Sequence, residues 1–138
     1  MAGRDFEDLD VYKTARELRA ALYALAKELP PEEKFNLVSQ IRRAALSITN
    51  NIAEGHGTYT FKQNIGYLHC ARGSTYEIRD DLNHCEDQKY VPKERLDLIR
   101  DLASRVIQMI DGYIRYLRTR HPFREQKGPP PDDADGMG

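Results

Sequence analysis

Two His-Cys pairs, His69-Cys70 and His84-Cys85, carry the side chains best suited to ligating a metal or forming a disulfide. Their spacing decides against both. The pairs lie fifteen residues apart in a stretch that reads as one helix, which separates them by about 22 Å at 1.5 Å per residue. Zinc holds its ligands at about 2.0–2.3 Å, and a disulfide needs Cα atoms within about 7 Å. Adjacent residues on a helix also diverge by about 100°, so neither pair chelates well alone. The reading is therefore no metal, no cofactor and no internal disulfide, with Cys85 in a core and the histidines on a surface or an interface.

Motifs for covalent or hydrolytic chemistry are missing. The chain has no G-x-S-x-G, no G-x-x-x-x-G-K-[ST], no C-x-x-C and no H-E-x-x-H. The Glu-x-x-His repeat that builds di-metal sites inside helical bundles is also absent. Glu77, Asp80 and Asp81 supply carboxylates, but no repeated histidine joins them. A non-enzymatic protein is expected.

Binding chemistry is better represented. Net charge is −1, yet the charge is unevenly spread. From Lys34 to Tyr76, five cations face one acid, Glu54; from Arg115 to Lys127, five cations again face one acid, so each stretch carries +4. Lys34, Arg42, Arg43, Lys62 and Arg72 can form a phosphate-binding cluster if the second and third helices fold symmetrically about Gly57. Arg115, Arg118, Arg120 and Arg124 make a second basic element, with Tyr116 and Phe123 as stacking surfaces among them. Each has a structural alternative. Arg43 can instead pair with Glu77, within the chain or between subunits. A basic helix end also complements the helix dipole. The final "PPPDDADGMG" carries −3 and no packing residues, which reads as a disordered tail.

A third candidate surface is the stretch "SITNNIAEGHGTYT" at 47–60, with one acid and no Lys or Arg. Ser47, Asn50, Asn51 and Glu54 step by three or four and share a helical face beside the apolar stripe. Small polar residues without long charged chains suit a helix pressed against another subunit, because a buried charge needs a matched partner. The same face can line a polar layer within one bundle.

The elements that position these residues follow from periodicity. Apolar residues recur at spacings of three and four in four segments: Val11 to Leu29, Val38 to Ile52, Phe61 to Cys85 and Leu96 to Leu117. Asp8 or Asp10 can cap the first, Thr58 or Thr60 the third, and Pro92 suits the start of the fourth. Pro30-Pro31 ends the first, and Gly55 with Gly57 ends the second. Gly73 interrupts the third and marks a candidate close helix approach. Short connections make neighbouring helices antiparallel. The expected fold is all-α, an up-down-up-down four-helix bundle over 8–120, with an extension at 1–7 and a Pro/Asp-rich tail at 121–138. No apolar run reaches membrane-spanning length and the N-terminus lacks a signal-like apolar region, so a cytoplasmic protein is expected.

Three segments, "FEDLDVYKTARELRAALY", "LVSQIRRAALSITNNIAEGHG" and "YLHCARGSTYEIRDDL", resemble the bacterial four-helix-bundle family named after intervening sequences in 23S ribosomal RNA genes. The resemblance runs over about residues 6–118. It is most specific at Gln40, Arg43, Ala44 and Ser47, at Asn51 to Gly55, and at Ala71 to Ser74 with Glu77. It implies a homopentamer without known catalytic activity. The family is also similar to accessory proteins of diversity-generating retroelements, which bind a reverse transcriptase and its template RNA and are strongly basic, unlike this near-neutral chain. The functional expectation is a homo-oligomeric, pentameric helical scaffold binding another macromolecule, with RNA the candidate. The alternatives are a retroelement accessory protein and a small-ligand-binding bundle with a cavity at Arg43, Arg72 and Glu77.

Overall fold

The computed structural model describes residues 5–124, and side chains through residue 120. Four helices account for the chain's periodic segments: α1 (Asp10–Ala26), α2 (Leu37–His56), α3 (Phe61–Asp87) and α4 (Lys93–Arg124). No β-strand occurs among the described residues. The apolar stripes meet in one core, where Leu18, Leu22, Ile41, Ile52, Leu68, Leu82, Ile110 and others lose all solvent contact. Burial of this kind stabilises by roughly 1.5–3 kcal/mol for each large aliphatic side chain.

Contacts across each seam show the direction of the helices. Tyr23 meets Arg42, and Arg19 meets Thr49. Ser47 meets Ser74, and Gly55 meets Asn64. Asn64 meets Tyr113, and Arg100 meets Glu86. One number falls as the other rises in every case, so consecutive helices are antiparallel. α4 closes the bundle against α1, and Arg95 pairs with Glu28 just beyond the end of α1.

Local chemistry explains the helix ends, with some departures from expectation. α1 has Leu9 as its N-cap and no side-chain cap; Asp8 instead forms a capping box with Asp5 on a short 3-10 turn, Phe6–Asp8. α1 stops at Ala26, before Pro30, which has no N–H to offer the Ala26 carbonyl. That carbonyl accepts from Leu29 N–H at 3.4 Å instead. Leu29 is thus buried but outside the helix. The start of α2 is held by Glu33, whose carboxylate accepts from Leu37 N–H at 3.4 Å and from the Tyr90 hydroxyl at 2.5 Å. This joins the α1–α2 connection to the α3–α4 connection. The Tyr90 hydrogen bond is the main reason that the Glu33 pKa lies below the ordinary carboxylate value. Thr60 caps α3 by accepting from Gln63 N–H at 3.0 Å. α3 ends with Lys89 at φ 58, while Tyr90 N–H reaches Cys85 O and Lys89 N–H reaches Glu86 O, both at 3.0 Å. This is the left-handed closure usually given to glycine. α4 continues to Arg124, past the expected boundary at 120, and the remainder of the expected tail lies outside the described residues. No helix among the described residues is long and apolar enough to cross a membrane.

Candidate functional site

The seam between α2 and α3 divides the four residues expected on one polar face. Ser47 and Asn51 are half-buried and turn toward α3. The Ser47 and Ser74 hydroxyls are 2.8 Å apart, and Asn51 Nδ2 donates to Ser47 O at 2.8 Å and Ser47 Oγ at 3.0 Å. Asn50 and Glu54 are exposed on the outer side of α2. Two of the four therefore build a polar layer inside the bundle, and two remain open to a partner.

Further along the seam, Gly55 is buried in the last turn of α2. A Cβ there would lie 2.5 Å from Asn64 Oδ1, 3.0 Å from Tyr67 Cβ and 3.2 Å from Asn64 O. The residue at the close helix approach is thus Gly55 and not Gly73, around which a Cβ would meet nothing within 4 Å. Asn64 itself is fully buried and donates to the Tyr113 hydroxyl at 3.3 Å. It sits on the apolar stripe four residues before Leu68, and that misplaced polarity is the signal that sequence reading passed over.

The hairpin turns later than Gly57. Ser47–Ser74 and Gly55–Asn64 place facing residues at numbers summing to about 120 rather than 115. This shift takes Arg72 out of register with Arg43 and so out of the basic cluster expected from folding about Gly57. Arg72 reaches α4 instead, where Nε donates to Asp111 Oδ1 at 2.8 Å, and this bond is the main cause of its raised pKa. Its guanidinium also lies 5.0 Å from the Tyr76 ring centroid, with Arg79 at 5.3 Å. Arg43 and Glu77 are both exposed and make no ion pair with each other. With Arg72 turned to α4, the three residues do not converge on a ligand cavity.

The buried carboxylate of this region is Asp81, 6% exposed, with Oδ2 lacking any hydrogen-bond partner. Burial, then the charges of Glu77 and Asp80, push its pKa up to about 6 against the opposing pull of His84 and Arg43. One turn on, Cys85 is buried in the core, while Cys70 is exposed. His69 and His84 are exposed, and His84 Nε2 lies 3.9 Å from the Glu33 carboxylate. Among the described residues, no three His, Cys, Asp or Glu side chains gather as metal ligands would.

The remaining basic residues lie on separate surfaces. Arg42 is half-buried over Tyr23, 5.7 Å from the ring centroid, and its Nε is buried without a partner. Lys62 lines a shallow groove with Thr58, Gln63, Gly66, Tyr67 and Cys70. Arg115, Arg118 and Arg120 are exposed near the end of α4, where Arg120 lies 5.4 Å from the Tyr116 ring centroid. The side chain of Arg124 lies outside the described residues. Arg16 and Arg19 were not expected to matter, yet Arg19 crosses to α2 and donates to Thr49 Oγ1 at 3.0 Å.

Comparison with known proteins gives a family but no assigned activity. The family described as 23S rRNA-intervening sequence protein matches residues 7–112. No curated protein matches the chain. Among solved structures, a protein of unknown function of the S23 ribosomal protein family from Bacteroides thetaiotaomicron is similar, with a TM-score of 0.71 and 24% identity. The alignment covers 76% of this chain and 95% of that one, and at this identity it supports the shared fold alone. The four-helix bundle and the match over most of its length lead to one statement of identity: the chain belongs to the 23S rRNA-intervening sequence protein family.

Proposed function

We propose that this protein is a non-enzymatic scaffold that assembles with copies of itself, five to a ring, and holds another macromolecule. The observation that carries the reading is the outward face of α3. Gly66, Cys70 and Gly73 recur there at helical spacing and are exposed, and a Cβ at either glycine would meet nothing within 4 Å. A glycine inside a helix costs about 1 kcal/mol relative to alanine. Nothing inside the chain requires that cost at positions 66 and 73. Close approach of a second backbone accounts for it, and the exposed Asn50 on the adjoining helix continues the small polar surface.

RNA is the macromolecule this reading favours. Arg115, Arg118 and Arg120 form no ion pair among the described residues. The antiparallel register of α3 and α4 brings Lys62 to the level of Arg118. In a ring these cations repeat around one axis, so modest contacts combine into avidity. Light scattering coupled to gel filtration tests assembly: a monomer mass at micromolar concentration refutes it. Filter binding of single-stranded RNA at two salt concentrations tests the partner. Binding that weakens with salt and disappears in Arg118→Glu/Arg120→Glu supports RNA, and no binding at low salt removes it.

A further inference from the structure

The seam between α1 and α2 carries a basic face that holds Arg19 and Arg42, distinct from the outward face of α3 and from the end of α4. Two contacts fix which residues line it: Arg19 reaches Thr49, and Arg42 lies over Tyr23. Helical spacing adds Arg16 and Ala20 on α1, and Leu46 and Ala53 on α2. Arg16 and Ala20 are exposed, and Leu46 is 40% exposed.

The nearby carboxylates lie off this face or at its edge. Asp10 lines a groove with Met109 and Tyr113 of α4, and Glu28 pairs with Arg95 of α4. Glu17 lies about 160° around the helix from Arg19 and borders the face at its edge, about 60° from Ala20. Glu54 is one residue past Ala53, about 100° around α2. No ion pair among the described residues involves Arg16, Arg19, Arg42 or Arg43. On the other half of the bundle, Arg72, Arg95 and Arg100 are each paired with a carboxylate. The Arg42 Nε is also buried without a partner, which is a costly state for a donor.

We infer that this face docks an acidic amphipathic helix of a partner protein. Its composition decides between that and a nucleic acid. Leu46, Ala20 and Ala53 form an apolar strip between arginines, with the Tyr23 ring beside it. A phosphate backbone gains nothing from such a strip. An amphipathic helix lays apolar residues on it and carboxylates against the flanking guanidiniums, which bind carboxylates through paired donors. Arginine and tyrosine around a small apolar centre is also the composition of strongly contributing interface residues.

The test is a fluorescence-anisotropy titration of the full chain with a synthetic helical peptide bearing Glu and Leu at i, i+4 spacing. A second peptide with Lys in place of Glu serves as control. The Glu peptide binds, binding weakens with salt, and Arg16→Glu lowers affinity by about tenfold, the scale of a strong interface residue. Arg42→Leu, which keeps packing over Tyr23, also weakens binding, and Arg118→Glu does not. Absence of binding at low salt, equal binding of the Lys peptide, or an unchanged affinity in Arg16→Glu overturns the inference. Displacement of the Glu peptide by single-stranded RNA, lost in Arg16→Glu, reassigns the face to phosphate and likewise overturns it. Light scattering of Arg16→Glu separates this from self-assembly: an unchanged mass is expected, and a changed mass makes the face a contact between copies and overturns the inference. Failure of the peptide with an intact ring leaves the scaffold reading standing.

Discussion

Asp81→Asn should stabilise the protein at neutral pH, and the gain should vanish in acid. Asp81 is almost fully buried at the α2–α3 seam with one carboxylate oxygen unpartnered. Its pKa stands at about 6 in the fold against an ordinary 3.8. A raised carboxylate pKa means that the folded state binds the proton more tightly than the unfolded state. That contribution to stability is complete below the unfolded pKa, near 4, and is lost as pH rises through about 6. Two units correspond to about 3 kcal/mol at 1.36 kcal/mol per unit. The flanking Glu77 and Asp80 are exposed, so water and counterions screen part of this, and about 1–2 kcal/mol is expected at pH 7.5. Asparagine keeps the shape and removes the charge. Urea denaturation followed by far-UV circular dichroism, at pH 4, 5, 6 and 7.5, measures the difference. Protein concentration must be fixed, since assembly itself raises apparent stability. Equal stability at pH 7.5, or a difference that grows toward pH 4, would refute the account of Asp81 as an uncompensated buried charge.

Other substitutions test the remaining contacts. Gly55→Ala should lower stability by about 1–3 kcal/mol, because its Cβ has no room beside Asn64 and Tyr67; a denaturant midpoint equal to the parent would show that the seam yields. Gly73→Ala should leave the subunit fold unchanged or gain up to about 1 kcal/mol of helix propensity, and Gly73→Leu should shift the mass toward monomer by light scattering if α3 meets another copy there. Ser47→Lys should destabilise far more than a charge change at exposed Lys13, because it loses the Ser74 contact and forces a charge into a half-buried layer; a shared hydrogen bond alone is worth about 1 kcal/mol. Truncation of residues 129–138, which removes Asp132, Asp133 and Asp135, should modestly strengthen RNA binding in the filter assay, the effect being limited by screening beyond about 8 Å at physiological salt.

Periodicity and punctuation carried the fold. Four stripes spaced by three and four residues, broken at Pro30-Pro31, at the glycines near 57 and before Pro92, leave little choice but four helices with antiparallel neighbours. Burial of those stripes is driven by non-directional apolar contact, which a one-dimensional pattern specifies well. The core place of Cys85 followed from position alone, and Thr60, which caps α3, was one of the two threonines that position offered. Helix caps were less legible, because Asp5, Asp8 and Asp10 all lie within reach of the α1 start and only the backbone path selects among them.

The tertiary structure decided which charges meet. A hairpin turning near Thr58–Thr60 instead of Gly57 moves the facing register by about five in the summed numbers, more than a helical turn shared between two helices. That shift takes Arg72 away from Arg43, and Arg72 reaches Asp111 on α4; it leaves Arg43 level with Glu77, but both side chains are exposed and do not pair with each other. Polar contacts are directional and short-ranged, so a displacement the core tolerates rewrites the ion pairs. The same reason hid the arginine face of α1–α2. Arg19 reaching Thr49 and Arg42 lying over Tyr23 are contacts between α1 and α2, which no spacing within either helix predicts.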